Sequence, residues 1–324
     1  MHKQYSANLI TPNQIGPQRM PPAVVTHFLT QVVIVGLLGF VCAVPAIAAP
    51  IQLPPIVEPA SQEHHVGKLI FVELVTPDLA AAKKFYAGLF GWTFRDIQGG
   101  GTKYAEAMLD GSPVAGLVQK NLSANEHRQP AWLSFFSVVD VDAATKIALQ
   151  NGAKALFEPH SIPDRGREAV LEDPQGAVFA LLASSSGDPP DVLAAPGEWI
   201  WTALITTDPD TDAAFYQKIF GYEVFELPAS KGSQHLLLAS VNYARASVNT
   251  LPAKRPNAHP SWLNLVHVED AVKMTAKAVA LGGRVLVEPH IDRQGGKVAV
   301  IADPSGAPFG LLEWPGTELK EVPK

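Results

Sequence analysis

Residues 74–92 read LVTPDLAAAKKFYAGLFGW and join a strand pattern directly to a helix pattern. Thr76-Pro77-Asp78 is typical of a helix start, with proline at the first helical position. Apolar residues then recur at helical spacing, and Gly91 predicts the helix end. The recurring residues are Leu79, Ala82, Phe85, Tyr86 and Leu89. The stretch therefore predicts a β-strand followed directly by an amphipathic helix.

The same pattern returns 130 residues later as LITTDPDTDAAFYQKIFGY, residues 204–222. The offset holds further along the chain for Trp132-Leu133 with Trp262-Leu263, Glu158-Pro159-His160 with Glu288-Pro289-His290, and Asp173-Pro174 with Asp303-Pro304. A constant offset of this length indicates a duplicated domain, since solenoid repeats are only about 20–50 residues long.

Each copy divides again into two units. After the first helix, β-prone runs separated by glycines follow at about 92–97, 103–109 and 114–119. The pattern restarts with a strand at 132–138 and a helix at 141–150, and three more β-prone runs lie near 154–160, 167–171 and 177–182. The chain is therefore predicted to be an α+β protein with two tandem domains, each a pair of βαβββ units.

The chain outside the repeats is predicted to serve targeting and linkage. Residues 32–44 carry no polar side chain, are too short to cross a ~30 Å bilayer as a helix, and precede the small-x-small pattern Ala46-Ile47-Ala48. We therefore expect a signal peptide at 1–48 and a periplasmic or secreted protein; an uncleaved membrane anchor is the alternative. The other boundaries are a proline-rich tether at 49–65, domain 1 at 66–184, a linker at 185–196, domain 2 at 197–315 and a C-terminal tail at 316–324.

Composition argues against several classes of function. The 324 residues hold 25 Lys and Arg against 31 Asp and Glu, a net charge of -6 without a basic stripe, so we expect no nucleic-acid partner. Cys42 is the single cysteine, which excludes an intrachain disulfide and a Cys-based zinc or iron–sulfur site. The sequence also contains no P-loop, Rossmann glycine pattern, nucleophile elbow or HExxH motif.

The order of the units and their closing motif resemble the vicinal oxygen chelate superfamily, which includes glyoxalase I, bleomycin-resistance proteins and extradiol dioxygenases. The motif is Asp173-Pro174-Gln175-Gly176-Ala177 in the first copy and Asp303-Pro304-Ser305-Gly306-Ala307 in the second. The resemblance covers about 66–184 and 197–314. It implies that paired units form a curved, open sheet around a cavity in each glyoxalase-like domain.

The resemblance also implies where a metal would be held. Metal-using members take His, Gln or Glu ligands from the first and last strands of each unit. The matching positions here hold no strong ligand: Phe71, Gly116, Leu133, Ala180, Trp201, Ser247, Leu263 and Gly310. We therefore expect no metal and no other cofactor.

Two residues are candidates for acid–base catalysis. Glu73 shares a strand face with Phe71, and a carboxylate among aromatic groups would have a raised pKa that suits a general base; the alternative is an exposed edge carboxylate. His160 follows Glu158 by two positions and recurs in the second copy as His290. Such a Glu–His pair could transfer protons or bind a metal weakly. The alternative is that Glu-Pro-His is only a turn.

The remaining candidates are expected to contact a ligand. Aromatic residues at the former metal positions would hold a flat apolar molecule, or would fill the cavities themselves. Arg167, repeated as Lys297, would hold an anion or remain solvated. The candidate ligand-binding residues are Phe71, Phe135, Arg167, Trp201, His267 and His290, with Trp132 and Trp262 as further cavity residues.

The two copies differ at candidate cavity positions. At the constant offset of 130 residues, Glu73 corresponds to Ala203 and Ala105 corresponds to His235. Residues that only pack are shared between the copies, whereas pocket residues change with the ligand. We therefore expect one domain to bind and the other to serve mainly as scaffold, and we favour the first because it alone has Glu73.

The sequence thus predicts an exported protein that binds a small aromatic or apolar molecule without a metal, with non-redox lyase or isomerase activity as an extension. Its expected partner is that small molecule, and a membrane only through the N-terminal segment if uncleaved. Two alternatives stay open. One is a metal-dependent lyase or dioxygenase of the same superfamily using Glu158 and His160. The other is a structural or interaction protein with filled cavities.

Overall fold

The computed structural model describes residues 51–99, 101–122, 129–229, 233–251, 259–292 and 295–314. The predicted signal peptide at 1–48 and C-terminal tail at 316–324 lie outside these residues. Within the described ranges, no helix has both the length and the apolar character needed to span a membrane.

The first domain is built on one eight-stranded sheet. Its elements are β1 (Leu69–Thr76), α1 (Leu79–Phe90), β2 (Thr93–Gly99), β3 (Thr102–Leu109), β4 (Ser112–Gln119), β5 (Ala131–Ser137), α2 (Val141–Gln150), β6 (Lys154–Ile162), β7 (Gly166–Glu172) and β8 (Val178–Ser184). The strand order is β2-β3-β4-β1-β5-β8-β7-β6, with β1 and β5 antiparallel at the centre. Each βαβββ unit therefore supplies one half of the sheet.

The second domain repeats this arrangement. Its elements are β9 (Trp199–Thr206), α3 (Pro209–Phe220), β10 (Glu223–Glu226), β11 (His235–Ser240), β12 (Tyr243–Thr250), β13 (Ser261–His267), α4 (Ala271–Ala280), β14 (Arg284–Ile291), β15 (Lys297–Ala302) and β16 (Pro308–Glu313). The strand order β10-β11-β12-β9-β13-β16-β15-β14 matches the first sheet position by position. The predicted α+β architecture of two tandem domains with open sheets, each a pair of βαβββ units, is confirmed.

Aspartate side chains start all four of these helices. Asp78 is the cap of α1, with extended backbone, and its carboxylate accepts a hydrogen bond from the Ala81 N–H. The helix therefore begins at Leu79. The prediction that Pro77 occupies the first helical position is wrong, because Pro77 precedes the capping residue. Gly91 ends α1 in the left-handed conformation, φ +78°, as its position predicted. The equivalent caps of α2, α3 and α4 are Asp140, Asp208 and Asp270.

The helix-bearing faces of the two sheets pack against each other. One core joins the first unit to the fourth, with Phe85 and Tyr86 against Phe309. The other core joins the second unit to the third, with Phe179 against Phe215. The cavity-bearing face of each sheet is the opposite one, so the two candidate sites are separated by this shared core.

The closing motif contributes to this core. The Asp303 carboxylate accepts a hydrogen bond from the Tyr86 hydroxyl at 3.1 Å, and the Asp173 carboxylate accepts one from the Tyr216 hydroxyl at 2.9 Å. Each tyrosine oxygen also accepts the indole N–H of a tryptophan, Trp132 at 3.0 Å and Trp262 at 2.9 Å. The expectation that these two tryptophans line the cavities is therefore wrong: both are buried between the domains.

Candidate functional site

The cavity face of the first sheet carries the candidate residues in register. Phe71 on β1 lies opposite Phe135 on β5, and Phe135 lies opposite Ala180 on β8. Glu73 pairs with Gly116 on β4, which pairs with Glu106 on β3. Val72 and Leu74 alternate with these residues and enter the helix-side core. Strand alternation therefore puts Phe71 and Glu73 on the cavity face together.

Two aromatic rings form one wall of the cavity. Phe71 and Phe135 are buried and meet edge to face, with ring centroids 6.0 Å apart. Gly116 lies beside them and leaves room for the Tyr104 hydroxyl, because a Cβ atom at this position would be 2.0 Å from the phenolic oxygen. Gly116 therefore accommodates the tyrosine side chain.

Charged and polar side chains share the cavity with these rings. Its lining includes Glu73, Tyr104, Arg165 and Glu168. Glu106 is buried beside them, and its carboxylate oxygens face two cations: Oε2 accepts a hydrogen bond from Arg95, and Oε1 is 3.6 Å from Arg165 Nη2. The Arg165 guanidinium also lies 4.3 Å from the centre of the Phe71 ring, a distance typical of a cation–π contact.

The two carboxyl groups of Glu73 and Glu168 have raised pKa values. Burial raises the pKa of Glu73 to about 7; the negative charge of Glu168 acts in the same direction, and Arg165 opposes both. Burial likewise raises the pKa of Glu168 to about 7, against the opposing effect of Arg165. Burial and the neighbouring Glu73 also raise the pKa of Tyr104. A carboxyl pKa close to neutral pH suits proton transfer in either direction.

The β6–β7 hairpin turn positions Arg165. Asp164 has φ +63° and Gly166 has φ +130°, so the chain reverses tightly on both sides of the arginine. A Cβ atom on Gly166 would lie 2.2 Å from the Ala183 carbonyl oxygen, so only glycine fits there. The Arg165 carbonyl accepts a hydrogen bond from the Ser185 N–H at 3.1 Å. The turn is thereby fixed to β8, and the arginine side chain folds back into the cavity.

Residues 51–57, which we call the N-terminal strap, occupy the cavity mouth. Leu53 and Ile56 are only 5% and 4% exposed, although the strap has no helix or strand. Leu53 lines the cavity beside Arg165, and Ile56 packs in the cluster that contains Phe71 and Phe135. Essentially no free volume is left between these side chains. Part of the predicted tether is thus docked on the first domain, and the first cavity is filled by the chain itself.

A few polar contacts hold the strap. The Gln52 amide donates a hydrogen bond to the Asp164 carboxylate, and the Val57 N–H donates one to Ser186 Oγ at 3.1 Å. Further along the predicted tether, Ser61 N donates to the Ser186 carbonyl at 2.8 Å. The strap is therefore attached through its side chains and its C-terminal end.

Three of the residues singled out from the sequence meet in the first cavity: Phe71, Glu73 and Phe135. His160 lies at its margin on edge strand β6, with an exposed side chain whose Nε2 is 3.6 Å from Glu168 Oε1. Arg167 points to the opposite side and forms an ion pair with Asp142 through Nε and Nη2. The structure therefore separates Arg167 from the cavity that contains Glu73.

The second domain has no equivalent charged cluster in its described residues. Trp201 donates its indole N–H to Ser247 Oγ at 3.1 Å, whereas His267 Nδ1 lies 2.6 Å from the Ala194 carbonyl. His290 is exposed on edge strand β14. The strand registers identify the residues of the second domain that occupy the positions of the first-domain cluster. Ala203 corresponds to Glu73, His235 to Tyr104, Leu237 to Glu106 and Val298 to Glu168.

One of these matches corrects the sequence comparison. The constant offset matches Ala105 with His235, but Ala105 is buried on the helix side of the sheet, in the core with Leu117. Tyr104 is the structural counterpart, because Gly116 pairs with Glu73 just as Ser247 pairs with Ala203, an offset of 131 rather than 130. The two cavities therefore differ at this position by tyrosine against histidine.

The residues at the family's metal positions do not fit a metal. In the first domain these positions are apolar, and the Arg165 cation lies over Phe71. Across the described ranges, no three His, Cys, Asp or Glu side chains converge as a metal site would require. His160 has only Glu168 within ion-pair distance among these residues. The positive charge beside Phe71 is instead that of the Arg165 guanidinium group.

Sequence reasoning missed four polar residues of this site: Tyr104, Glu106, Arg165 and Glu168. A signal for two of them exists in residues 104–107, where Tyr104 and Glu106 alternate with alanines on a β-prone run. No period marks Arg165, because the direction of a turn side chain is not set by strand alternation. Glu168 was overlooked in favour of its neighbour Arg167, which faces the other way.

Comparisons with known proteins identify the family. The Glyoxalase/Bleomycin resistance protein/Dioxygenase superfamily matches residues 64–181, and a glyoxalase-like domain family matches residues 201–312. The chain is 32% identical over 257 residues to CFP32 of Mycobacterium tuberculosis, a protein named as a candidate glyoxylase, covering 79% of this chain and 98% of that one. It is also 32% identical over 266 residues to the anthracycline biosynthesis protein DauV of Streptomyces sp., covering 76% and 93%.

Solved structures share the fold at low sequence identity. A Mn(II)-bound glyoxalase from Novosphingobium aromaticivorans superposes with a TM-score of 0.56 at 17% identity, over 80% of this chain and 84% of that one. A homoprotocatechuate 2,3-dioxygenase variant from Brevibacterium fuscum gives 0.56 at 14% identity, over 82% and 75%. With two matching domains and relatives above 30% identity, this chain belongs to the Glyoxalase/Bleomycin resistance protein/Dioxygenase superfamily.

Proposed function

We propose that the first domain binds a small, planar aromatic molecule in the cavity between Phe71, Phe135 and Glu73, without a metal, and that Glu73 transfers a proton on it. The observation that carries this proposal is the cluster of ionisable groups inside an otherwise apolar cavity. Burying such groups is costly, and the second domain folds with Ala203 and Val298 at the positions of Glu73 and Glu168. The fold therefore does not need these charges, and a role in chemistry accounts for them.

The strap has to leave before a ligand enters. Burial of Leu53 and Ile56 contributes about 1.5–3 kcal/mol for each side chain. Ordering the strap opposes this burial, because each of its residues loses conformational freedom. A ligand that fills the same apolar space can therefore replace the strap at small cost.

The carboxyl groups suit a non-redox reaction. With a pKa of about 7, Glu73 is partly ionised at neutral pH and can remove a proton from the sp3 carbon next to the carbonyl group in the keto tautomer of a hydroxylated ring. Glu168, also with a pKa of about 7, can return a proton at a second position. The electron pair stays on the substrate throughout, so the step is a lyase or isomerase reaction that needs no oxidant.

Relatives support an aromatic ligand. Two of them, DauV and the DnrV protein of Streptomyces peucetius, are named for anthracycline biosynthesis. Anthracyclines are planar polycyclic aromatic compounds, and the edge-to-face pair Phe71–Phe135 provides apolar surface for such a ring system. We therefore take hydroxylated polycyclic aromatics as the compound class to test first.

A thermal-shift screen of naphthols and hydroxyanthraquinones tests the proposal. A ligand of the native state raises the melting temperature by mass action, and Glu73→Gln is expected to weaken this response or abolish turnover. Glu288→Gln, at an exposed position of the second domain, is the matched control. An unchanged response of Glu73→Gln, together with loss of binding in Trp201→Ala, would move the site to the second domain.

The metal-dependent alternative has its own measurement. Elemental analysis of protein purified without chelator is expected to show no stoichiometric zinc, nickel, manganese or iron. Bound metal that disappears in His160→Ala would instead support the metal-dependent lyase or dioxygenase, with Glu168 as the neighbouring ligand.

The N-terminal sequence supports export to the periplasm or beyond. Its thirteen residues without a polar side chain and the Ala46-Ile47-Ala48 pattern carry this part of the proposal. Mass spectrometry of the secreted protein should find an N-terminus at Ala49, which keeps the strap in the mature chain. Recovery of the full-length chain in the membrane fraction would contradict cleavage.

A further inference from the structure

Arg165 is a buried cation whose hydrogen-bonding capacity is not used within the described chain. Its side chain is 2% exposed, and Nε, Nη1 and Nη2 all lack a hydrogen-bond partner among the described residues. The hydroxyl of Tyr104 lies in the same cavity, beside the Glu73 carboxyl group. Buried polar groups in native proteins are nearly always hydrogen-bonded, so donors grouped in a cavity point to an acceptor that binds there.

Three carboxyl groups act on the positive charge of Arg165: Glu106, Glu73 and Glu168. Glu106 is 3.6 Å from Arg165 Nη2 but accepts its hydrogen bond from Arg95, so one carboxylate serves two guanidinium groups. Burial raises the pKa of Glu73 and Glu168 to about 7, and these carboxyls carry less negative charge at neutral pH than ordinary glutamates. Because Glu73 and Glu168 can take up protons near neutral pH, an oxygen anion can be accommodated beside Arg165.

The hairpin turn aims this cation at the aromatic wall. The guanidinium lies 4.3 Å from the Phe71 ring centre, and Leu53 of the strap lines the cavity next to it. A planar ligand that replaces Leu53 would bring a substituent within reach of the guanidinium and of the Tyr104 hydroxyl. Guanidinium groups bind carboxylates and related oxygen anions through charge-assisted, often bidentate hydrogen bonds.

We propose that Arg165, assisted by the Tyr104 hydroxyl, binds an anionic oxygen of the ligand, so that the first cavity selects aromatic acids over neutral aromatics of the same shape. This inference rests on the proposed function, because it specifies the ligand class of that same cavity. It assigns Arg165 a binding role that apolar packing of the cavity would not require.

Calorimetry with 2-naphthoate and 2-naphthamide tests the inference, since these compounds share shape and differ in charge. Both are titrated into the natural chain and into Leu53→Ser/Ile56→Ser, in which the strap anchors are weakened. The carboxylate is expected to bind about tenfold more tightly than the amide, the size of one charge-assisted contact. Arg165→Met should remove this preference, Arg165→Lys should keep part of it, and Arg284→Met, at an exposed position, should leave it unchanged.

The outcomes separate this inference from the proposed function. Equal binding of the two compounds to the natural chain and to the double variant overturns the role of Arg165 while the aromatic cavity stands. Binding of neither compound to either form overturns both. Because the carboxylate–amide comparison is made on folded natural protein, it decides the question even if Arg165→Met fails to fold.

Discussion

Glu73 illustrates how a titratable group can lie on a strand whose neighbouring residues pack in the core. Its neighbours Val72 and Leu74 enter the core between the domains, while Glu73 faces Tyr104, Arg165 and Glu168 in the cavity. The alternation of β1 was enough to predict this face from the sequence, and the aromatic neighbour Phe71 was enough to predict a raised pKa. The cluster around it was not predictable, because its members come from β3, β7 and a turn that are distant in sequence.

The raised pKa of Glu73 predicts a pH dependence of stability. The group titrates at 4.5 in its ordinary state and at about 7 in the folded protein, so the folded state holds the proton more tightly between these values. The free energy of unfolding should therefore fall as pH rises from about 4.5 to about 7 and level off above it. Glu73→Gln removes this loss and should stabilise the protein at pH 8 by on the order of 2 kcal/mol.

Urea denaturation at pH 5 and pH 8 measures this effect. The difference between Glu73→Gln and the natural chain should be small at pH 5 and large at pH 8. Glu288→Gln should show no such difference between the two pH values. If Glu73→Gln destabilised the protein equally at both, the carboxylate would be a favourable structural contact rather than a strained one.

Gly166 offers a second test at single-residue resolution. A Cβ atom at this position would lie 2.2 Å from the Ala183 carbonyl oxygen. The substituted residue would also have to adopt φ +130°, which is unfavourable for any residue but glycine. Gly166→Ala should therefore cost about 1–3 kcal/mol and displace the Arg165 turn, weakening ligand binding. Gly176→Ala is the control, since its positive φ is similar but nothing lies within 4 Å. Equal effects of both variants on ligand binding would exclude a positioning role for the turn.

The strap is the element whose role the sequence revealed least. Four prolines and the absence of any period predicted an extended tether, and residues 51–57 do lack helix and strand. What the pattern could not show is that Leu53 and Ile56 are buried against the first domain, because short apolar anchors in an extended segment have no periodicity. The choice between open and filled cavities depended on this segment, and the described structure has the first cavity filled.

Weakening the strap anchors should raise ligand affinity. In Leu53→Ser/Ile56→Ser, the ligand no longer competes with two buried apolar side chains, so aromatic probes should bind several-fold more tightly. Glu58→Ser changes an exposed residue next to the strap and should leave affinity unchanged. Isothermal titration of both variants checks this. Weaker binding by the double variant would mean that the strap forms part of the binding site instead of blocking it.

At the scale of the whole molecule, the duplication was readable from the sequence but the packing of its units was not. The constant offset identified two domains and four units, and strand and helix periods gave their order. The cores, however, pair the first unit with the fourth and the second with the third, a choice made by side-chain complementarity across the sheets. From the sequence, the aspartates of the closing motif indicated only ordinary turns. The structure shows that Tyr86 and Tyr216 donate hydrogen bonds to them from the other domain.

These tyrosines should couple the two domains in unfolding. Tyr86→Phe leaves the Asp303 carboxylate oxygen and the Trp132 indole N–H without this buried partner, and should cost about 1–3 kcal/mol. Tyr243→Phe, on an exposed tyrosine, should change stability little. Calorimetry should show one unfolding transition that shifts as a whole, since each core contains both domains. Two separate transitions, only one of them shifted, would contradict this coupling.

If a ligand enters the first cavity by replacing the strap, a thiol at position 53 should report the replacement. In Leu53→Cys made on a Cys42→Ser background, the new thiol is the single one in the chain and lies where Leu53 is 5% exposed. Its reaction with a thiol reagent should be slow in the free protein and accelerate as 2-naphthoate is added. The same design at Leu265, buried on the cavity face of the second domain, should show no acceleration. Slower reaction at position 53 with bound ligand, or acceleration at position 265 alone, would contradict the account.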